Sequence, residues 1–322
     1  MRCAAFVVFL LSSAHVFGQK GPLTPNFQDW LQKNGYEGDN FARLDLGNTG
    51  SFGGFESAGQ AIAKPPVIFV HGNSDGALDN GQLDQTGWSA SILYFTQTSD
   101  YTSKELYATT WGDRNVVNAA SRTHSCQTVT HIRRFIEAVL AYTGAKKVNI
   151  ISHSMGVTLA RKAIKGGPIE ATDGKCDIGE PLTSKINVFV GLAGANYGMC
   201  NCEDQMSFMS PTCNRQNGFW PGDSCGINVA DCGAPVLYPC EKPPYASFLT
   251  ELNGNPAREA AQVFSAWSLM DNMIMYGDRV WGRPTSLIPG SIDHKVYDLY
   301  DHFQTKDLTA KDQYNMVVYQ RF

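Results

Sequence analysis

Short, continuously apolar runs alternate with longer amphipathic stretches through most of this 322-residue chain. VIFV at 67–70 follows the helix-breaking Lys64-Pro65-Pro66 and is apolar at every position, which suits a parallel strand covered on both faces. LYATTW (106–111), KKVNIIS (146–152), INVFVGLAG (186–194) and VFSAWSLM (263–270) predict further strands. Between them lie helical segments at 86–98 and at 128–142. In the second of these, Ile132, Phe135, Ile136, Val139 and Leu140 recur at three- and four-residue spacing, and Thr143-Gly144 ends it. A third, VTLARKAIK, begins at Val157. Strands alternating with helices predict an α/β fold with a mostly parallel central sheet and helices on both faces.

Two stretches depart from this rhythm. Residues 19–60 are polar and become glycine-rich near 47–60, which reads as an approach segment ending in a loop. Residues 195–250 are rich in Cys, Gly, Pro and Asn and show little periodicity. A structureless loop of that length is unusual in a compact domain. Cross-linked by disulfides it becomes a compact insertion, and its position between two sheet strands predicts a cap over the end of the sheet that bears the chemistry.

Residues 1–18 read as a secretory signal: Arg2 supplies the charge, AAFVVFLL the apolar core and Val16-Phe17-Gly18 the cleavage site. The run is too short to span a bilayer comfortably, and no later run is long enough. Residues 19–322 are then expected to form one soluble, exported domain with the cap inserted in it. Cysteine usage agrees. Cys3 leaves with the signal, and an even set remains: Cys126, Cys176, Cys200, Cys202, Cys213, Cys225, Cys232 and Cys240. In an exported chain this implies disulfides, without fixing their connectivity. A zinc site is the competing reading, disfavoured by the lack of nearby histidine and of regular C-x-x-C pairs. A net charge of −4 excludes a basic field for nucleic acid or anionic lipid. There is no N-x-S/T glycosylation sequon.

The chemistry is concentrated in VNIISHSMG, 148–156. A β-type run ends in Ser152-His153-Ser154-Met155-Gly156, and a helix follows. This is the layout of a nucleophile elbow, with a serine on a strained turn and small residues two positions to either side. Ser152 stands where the pattern usually has glycine. The competing reading is an ordinary strand–helix turn rich in small residues. As nucleophile, Ser154 needs a base, and the base needs an acid; on such sheets they arrive in the order Ser, Asp/Glu, His. Only His294 and His302 follow the serine, and His302 is the better placed, after an apolar-aromatic stretch. Asp271, just beyond the 263–270 strand, has the address where open α/β sheets place their chemistry; Asp278 is its rival. Oxyanion donors are expected from the backbone N–H of Met155 and, in the loop His71-Gly72-Asn73, of Asn73.

With these residues in place, the chain resembles the class 2 lipases of the α/β-hydrolase superfamily. VIFVHGNSD (67–75) resembles the oxyanion strand and loop, ELYATTWGD (105–113) the next strand with its Trp-Gly, and YTGAKKVNIISHSMGVTLARKAI (142–164) the elbow unit. DNMIMYGDRVWGRPTSLIPG (271–290) and HFQTKDLTAKDQYNMV (302–317) resemble the segments carrying the acid and the histidine. The resemblance implies a secreted serine carboxylic-ester hydrolase acting on acylglycerols through an acyl-enzyme, with Asp271 as acid and His302 as base. The same resemblance implies that no metal or organic cofactor is required and that the expected partner is a lipid ester substrate, which an oil–water interface could present. The rival readings are a short-chain esterase or acyltransferase, and a catalytically inactive secreted lipid-binding protein on the same scaffold.

Overall fold

The computed structural model describes residues 19–99, 101–225, 232–234 and 244–322. The predicted signal, 1–18, lies outside the described residues, as do parts of the predicted cap, 226–231 and 235–243. Helix α1 (Pro25–Lys33) and strand β1 (Ser51–Phe52) precede β2 (Val67–Val70), α2 (Ser89–Thr98), β3 (Leu106–Thr109) and α3 (Cys126–Thr143). Next come β4 (Val148–His153), α4 (Met155–Lys165), a hairpin of β5 (Pro168–Ala171) and β6 (Gly174–Asp177), and β7 (Ile186–Leu192). Short α5 (Met206–Met209) and α6 (Ser247–Gly254) lead to β8 (Gln262–Ser268). The chain ends with a ribbon of β9 (Arg279–Val280) and β10 (Arg283–Pro284), then β11 (Asp293–Tyr297), α7 (Gln304–Asp307) and α8 (Ala310–Val318).

Seven strands form one sheet in the order β1-β3-β2-β4-β7-β8-β11. Only the β1–β3 pair is antiparallel; the others are parallel. The apolar runs explain this arrangement. Every residue of β2 and of β4 is buried, so both faces of these strands must be covered. Alternate residues serve alternate faces. Ile68, Val70, Ile150 and Phe189 pack with α1, α3, α4 and α6. Val67, Phe69, Ile151, Val188 and Val190 pack with α2 and α8. Helix α3 starts where the Ser125 hydroxyl accepts the Thr128 N–H at 3.0 Å, an N-cap, and it buries the predicted stripe of Ile132, Phe135, Ile136 and Val139.

Helix α4 is buried nearly all round, and its cations are paired accordingly. Arg161 lies 2.8 Å and Lys165 3.2 Å from the buried carboxylate of Glu259, just ahead of β8. Because β2, β4 and β8 run the same way, their C-terminal ends share one edge of the sheet. The loops that leave it there begin at His71, Ser154 and Leu269.

Several elements depart from the sequence reading. The 19–60 segment holds α1 and adds β1 to the sheet, rather than being only an approach and a loop. The 263–270 strand ends at Ser268, and Leu269 and Met270 are exposed. The β5–β6 hairpin and β11 were not anticipated. Disulfides join Cys126 to Cys176, Cys200 to Cys232 and Cys202 to Cys213, and Cys225 is also disulfide-bonded. The first ties the start of α3 to β6; the next two lie within the 195–250 insertion. Cys200, Glu203 and Cys232 come close enough to share a metal ion, but the two sulfurs are bonded to each other, so neither offers a thiolate.

Candidate active site

Ser154 sits between the last residue of β4 and the first of α4, with φ 55° and ψ −131°. A non-glycine residue in such a conformation costs on the order of 1–3 kcal/mol and persists only where its surroundings impose it. Here they do. The Ser154 N–H donates to the Leu192 carbonyl at the end of β7, at 2.9 Å. Gly156 lets α4 approach β2 so closely that a Cβ there would collide with the His71 and Val70 carbonyls. A Cβ on Gly72 would lie 2.7 Å from the Ser154 Cβ. Ser152 occupies the usual glycine position without conflict, because its hydroxyl donates to the Val190 carbonyl at 2.9 Å.

Asp271 lies three residues beyond β8. Its Oδ1 accepts the N–H groups of Met273 at 2.9 Å and Ile274 at 2.7 Å, which fixes the carboxylate. Its Oδ2 lies 2.7 Å from Nδ1 of His302, and both side chains are buried. That contact occupies Nδ1 and leaves Nε2 for the cavity side. Burial raises the Asp271 carboxyl, but the charge and hydrogen bond of His302, with the two N–H donors, outweigh it. The group is held below the ordinary carboxylate range, ionised at neutral pH.

The loop after β2 is braced from several sides. His71 stacks on Trp111 with ring centroids 5.0 Å apart; its Nε2 accepts the Trp111 N–H at 3.0 Å, and its carbonyl accepts the indole N–H at 2.9 Å. Burial drives the His71 pKa down to about 3, so it is a neutral structural ring. The Asn73 side chain points away from Ser154: its Nδ2 donates to the Ala119 carbonyl at 2.9 Å, and its Oδ1 accepts from Arg122 at 2.7 Å. Met155 opens α4, so its N–H has no carbonyl one turn back within the helix.

Ser154, His302, Asn73, Gly72 and Met155 open on one cavity of about 290 Å³. Its other walls are mainly apolar, with Met199, Met206 and Phe219 from the insertion and Met273, Ile274 and Phe303 from the acid and histidine segments. The disulfide-bonded Cys202 and Cys213 also form part of the wall.

The structure thus brings Ser154, His302, Asp271, Asn73 and Met155 to one edge of the sheet and leaves their rivals elsewhere. His294 is on β11, stacked over Trp267 with centroids 5.3 Å apart. Asp278 is buried against Ser286, 2.5 Å from its hydroxyl and 3.1 Å from its N–H. His153 does more than turn aside from Ser154. Its Nε2 meets the His302 carbonyl at 3.0 Å, and burial lowers its pKa so far that the ring stays neutral. Sequence reasoning missed this brace, that of Arg122 on Asn73, and a buried contact of Lys306 Nζ with Asp75 Oδ2 at 2.8 Å. The two cations belong to pairings far apart in the chain.

A mostly parallel sheet with an elbow serine at the end of its central strand, and a histidine–carboxylate pair on the loops beside it, defines an α/β-hydrolase. Residues 64–315 match the profile described as Lipase (class 2), and the chain belongs to that family. It is therefore a hydrolase of ester substrates. A search of curated proteins gave no significant match. Among solved structures it is similar to Paleococcus ferrophilus monoacylglycerol lipase, with 14% identity, a TM-score of 0.45, and coverage of 84% of this chain and 97% of that one. It is also similar to the propeptide form of Bacillus licheniformis lipase BlEst2, with 13% identity, a TM-score of 0.49, and 83% and 53% coverage. A third similar structure is Aspergillus fumigatus lipase B, with 11% identity, a TM-score of 0.43, and 79% and 49% coverage; this chain spans about half the length of that protein.

Proposed function

We propose that this chain, residues 19–322 with the 195–250 insertion as a cap, is a secreted serine lipase that hydrolyses acylglycerols through an acyl-enzyme on Ser154. The observation that carries the reading is the 2.7 Å contact of Asp271 with His302 Nδ1, behind an apolar cavity that His302 shares with Ser154. Export is supported by the disulfides and by the charged-then-apolar segment at 1–18.

In the first half-reaction Ser154 Oγ attacks the ester carbonyl carbon while His302 Nε2 takes its proton. Ionised Asp271 holds the imidazole in the required tautomer and stabilises the imidazolium. The negative charge that develops on the carbonyl oxygen is met by the N–H groups of Asn73 and Met155, each worth on the order of 100- to 1,000-fold in rate. The imidazolium then protonates the leaving alcohol, and the acyl group stays on Ser154. In the second half-reaction water gives a proton to His302 and attacks the acyl carbon; the bond from that carbon to Ser154 Oγ breaks, the imidazolium returns its proton to Oγ, and the carboxylic acid leaves. Apolar walls suit a fatty acyl chain, and the elbow strain holds the hydroxyl out of the sheet.

Ser154→Ala should be secreted and folded but lose on the order of a million-fold in kcat on p-nitrophenyl esters. Near-parental turnover by that variant would rule the mechanism out. A fluorophosphonate probe should label the parent at Ser154; an inert binding scaffold would stay unlabelled. Raising one ester through its solubility limit separates lipase, whose rate climbs once droplets form, from a short-chain esterase.

A further inference from the structure

A buried ion pair joins the loop after β2 to the segment that carries His302. Lys306 Nζ lies 2.8 Å from Asp75 Oδ2, and neither side chain is exposed to solvent. The ammonium also donates to Thr86 Oγ1 at 2.9 Å and to the Gly87 carbonyl. The second oxygen of Asp75 accepts the Gly87 N–H at 2.9 Å. Three ammonium protons and both carboxylate oxygens are therefore engaged. Asp307 adds a second carboxylate 3.2 Å from the ammonium and accepts from the Thr86 hydroxyl at 2.8 Å. Burial would raise the Asp75 carboxyl, but the charge and hydrogen bond of Lys306, with His71 and the Gly87 N–H, together outweigh it and hold the group below the ordinary carboxylate range.

Stability is a poor explanation for such a pair. Replacing a buried ion pair with apolar groups of similar volume is often neutral or stabilising, whereas removing one partner is costly. The placement suggests another. Asp75 is two residues beyond Asn73, and Lys306 is four beyond His302. A rigid electrostatic link thus spans the two parts of the site that come from opposite ends of the domain. Neither residue contributes to the described cavity wall, so neither touches substrate there.

We propose that Lys306 is a positioning residue: through Asp75 it fixes the loop bearing the Asn73 amide relative to the imidazole of His302. The inference rests on the function proposed above. Cutting the link lets the oxyanion donor and the base drift apart. Misplacement by about 1 Å can cost on the order of 100-fold in rate. The loss falls on the transition state, in which both groups act together, and so appears in kcat rather than KM.

The test compares parent, Lys306→Met and the double variant Lys306→Met/Asp75→Leu. Active sites are titrated with a fluorophosphonate, kcat and KM on a soluble p-nitrophenyl ester are expressed per titrated site, and thermal melting is followed in parallel. Lys306→Met should melt lower and lose about 10- to 100-fold in kcat per site, with KM within about threefold of the parent. The double variant, relieved of the unpaired Asp75 charge, should recover part of the lost melting temperature but not kcat. If Lys306→Met does not fold, the double variant alone carries the test. Parental kcat per site in the double variant would reduce the pair to a structural role and overturn the proposal. An unlabelled parent would instead sink the serine mechanism, before any variant is compared.

Discussion

Asp278 shows how burial can dominate the chemistry of one side chain. It has φ 67°, is excluded from solvent, and faces only Ser286 as a close side-chain partner among the described residues. Burial pushes its pKa up from 3.8 to about 8, so at neutral pH it is a neutral acid. The unfolded chain ionises this group far more readily than the folded one. Its contribution to stability is therefore fully present below about pH 4 and is lost as pH rises through 8. Asp271 and Asp75 act in the opposite sense. Their folded-state values are depressed, so their contributions hold above the ordinary carboxylate range and fall away in acid. Asp278→Asn should accordingly gain melting temperature relative to the parent as pH is raised from 4 to 8, and gain none at pH 4. Thermal melts across that range check it; a constant difference would show that Asp278 does not titrate there. In sequence Asp278 was only a rival acid seven residues past Asp271, because a carboxylate defaults to solvated charge until its burial is known.

At the scale of elements, legibility followed burial. VIFV and VNIISH could be read because central strands covered on both faces must be apolar throughout. Helix α3 could be read because one long face packs on the sheet. Strand β11 escaped because it is the sheet edge and most of its residues are exposed, which leaves no apolar alternation. The two residues of β1 and the nine of α1 are too short to carry a period. The same scale governs the Cys126–Cys176 bond, which closes 50 residues of separation and pins the start of α3 to the hairpin. Changing both cysteines to serine should cost about 2–4 kcal/mol in denaturant unfolding. Because neither residue belongs to the cavity wall, kcat should be unchanged; a fall in kcat would show that α3 transmits strain to the elbow.

Across the whole molecule, the candidate site was legible where it was local or ordered along the chain. The elbow is a single run of residues, and the sequence order Ser154, Asp271, His302 left few alternatives. The supports were not legible. Lys306 and Asp75 are 231 residues apart, and nothing in either neighbourhood marks them as buried partners. Nor could sequence foresee the exposed apolar side chains on the elements that line the cavity. Met206 lines the cavity, while Phe208 and Met209 on the same short helix α5 are 77% and 73% exposed. The turn at 116–121, with exposed Val116 and Val117, reaches the cavity through Ala119 and Ala120. Phe208→Glu should lower the rate on emulsified tributyrin while leaving kcat/KM on dissolved p-nitrophenyl acetate near parental; equal losses on both would place Phe208 in the reaction path instead. One further consequence follows from where the chain supplies its parts. His302 and Lys306 come after every strand of the sheet, and domains acquire structure from the N-terminal side during synthesis. A nascent chain still lacking them can complete its sheet without the proposed base, so on the proposed mechanism hydrolytic competence appears only after the sheet itself has been laid down.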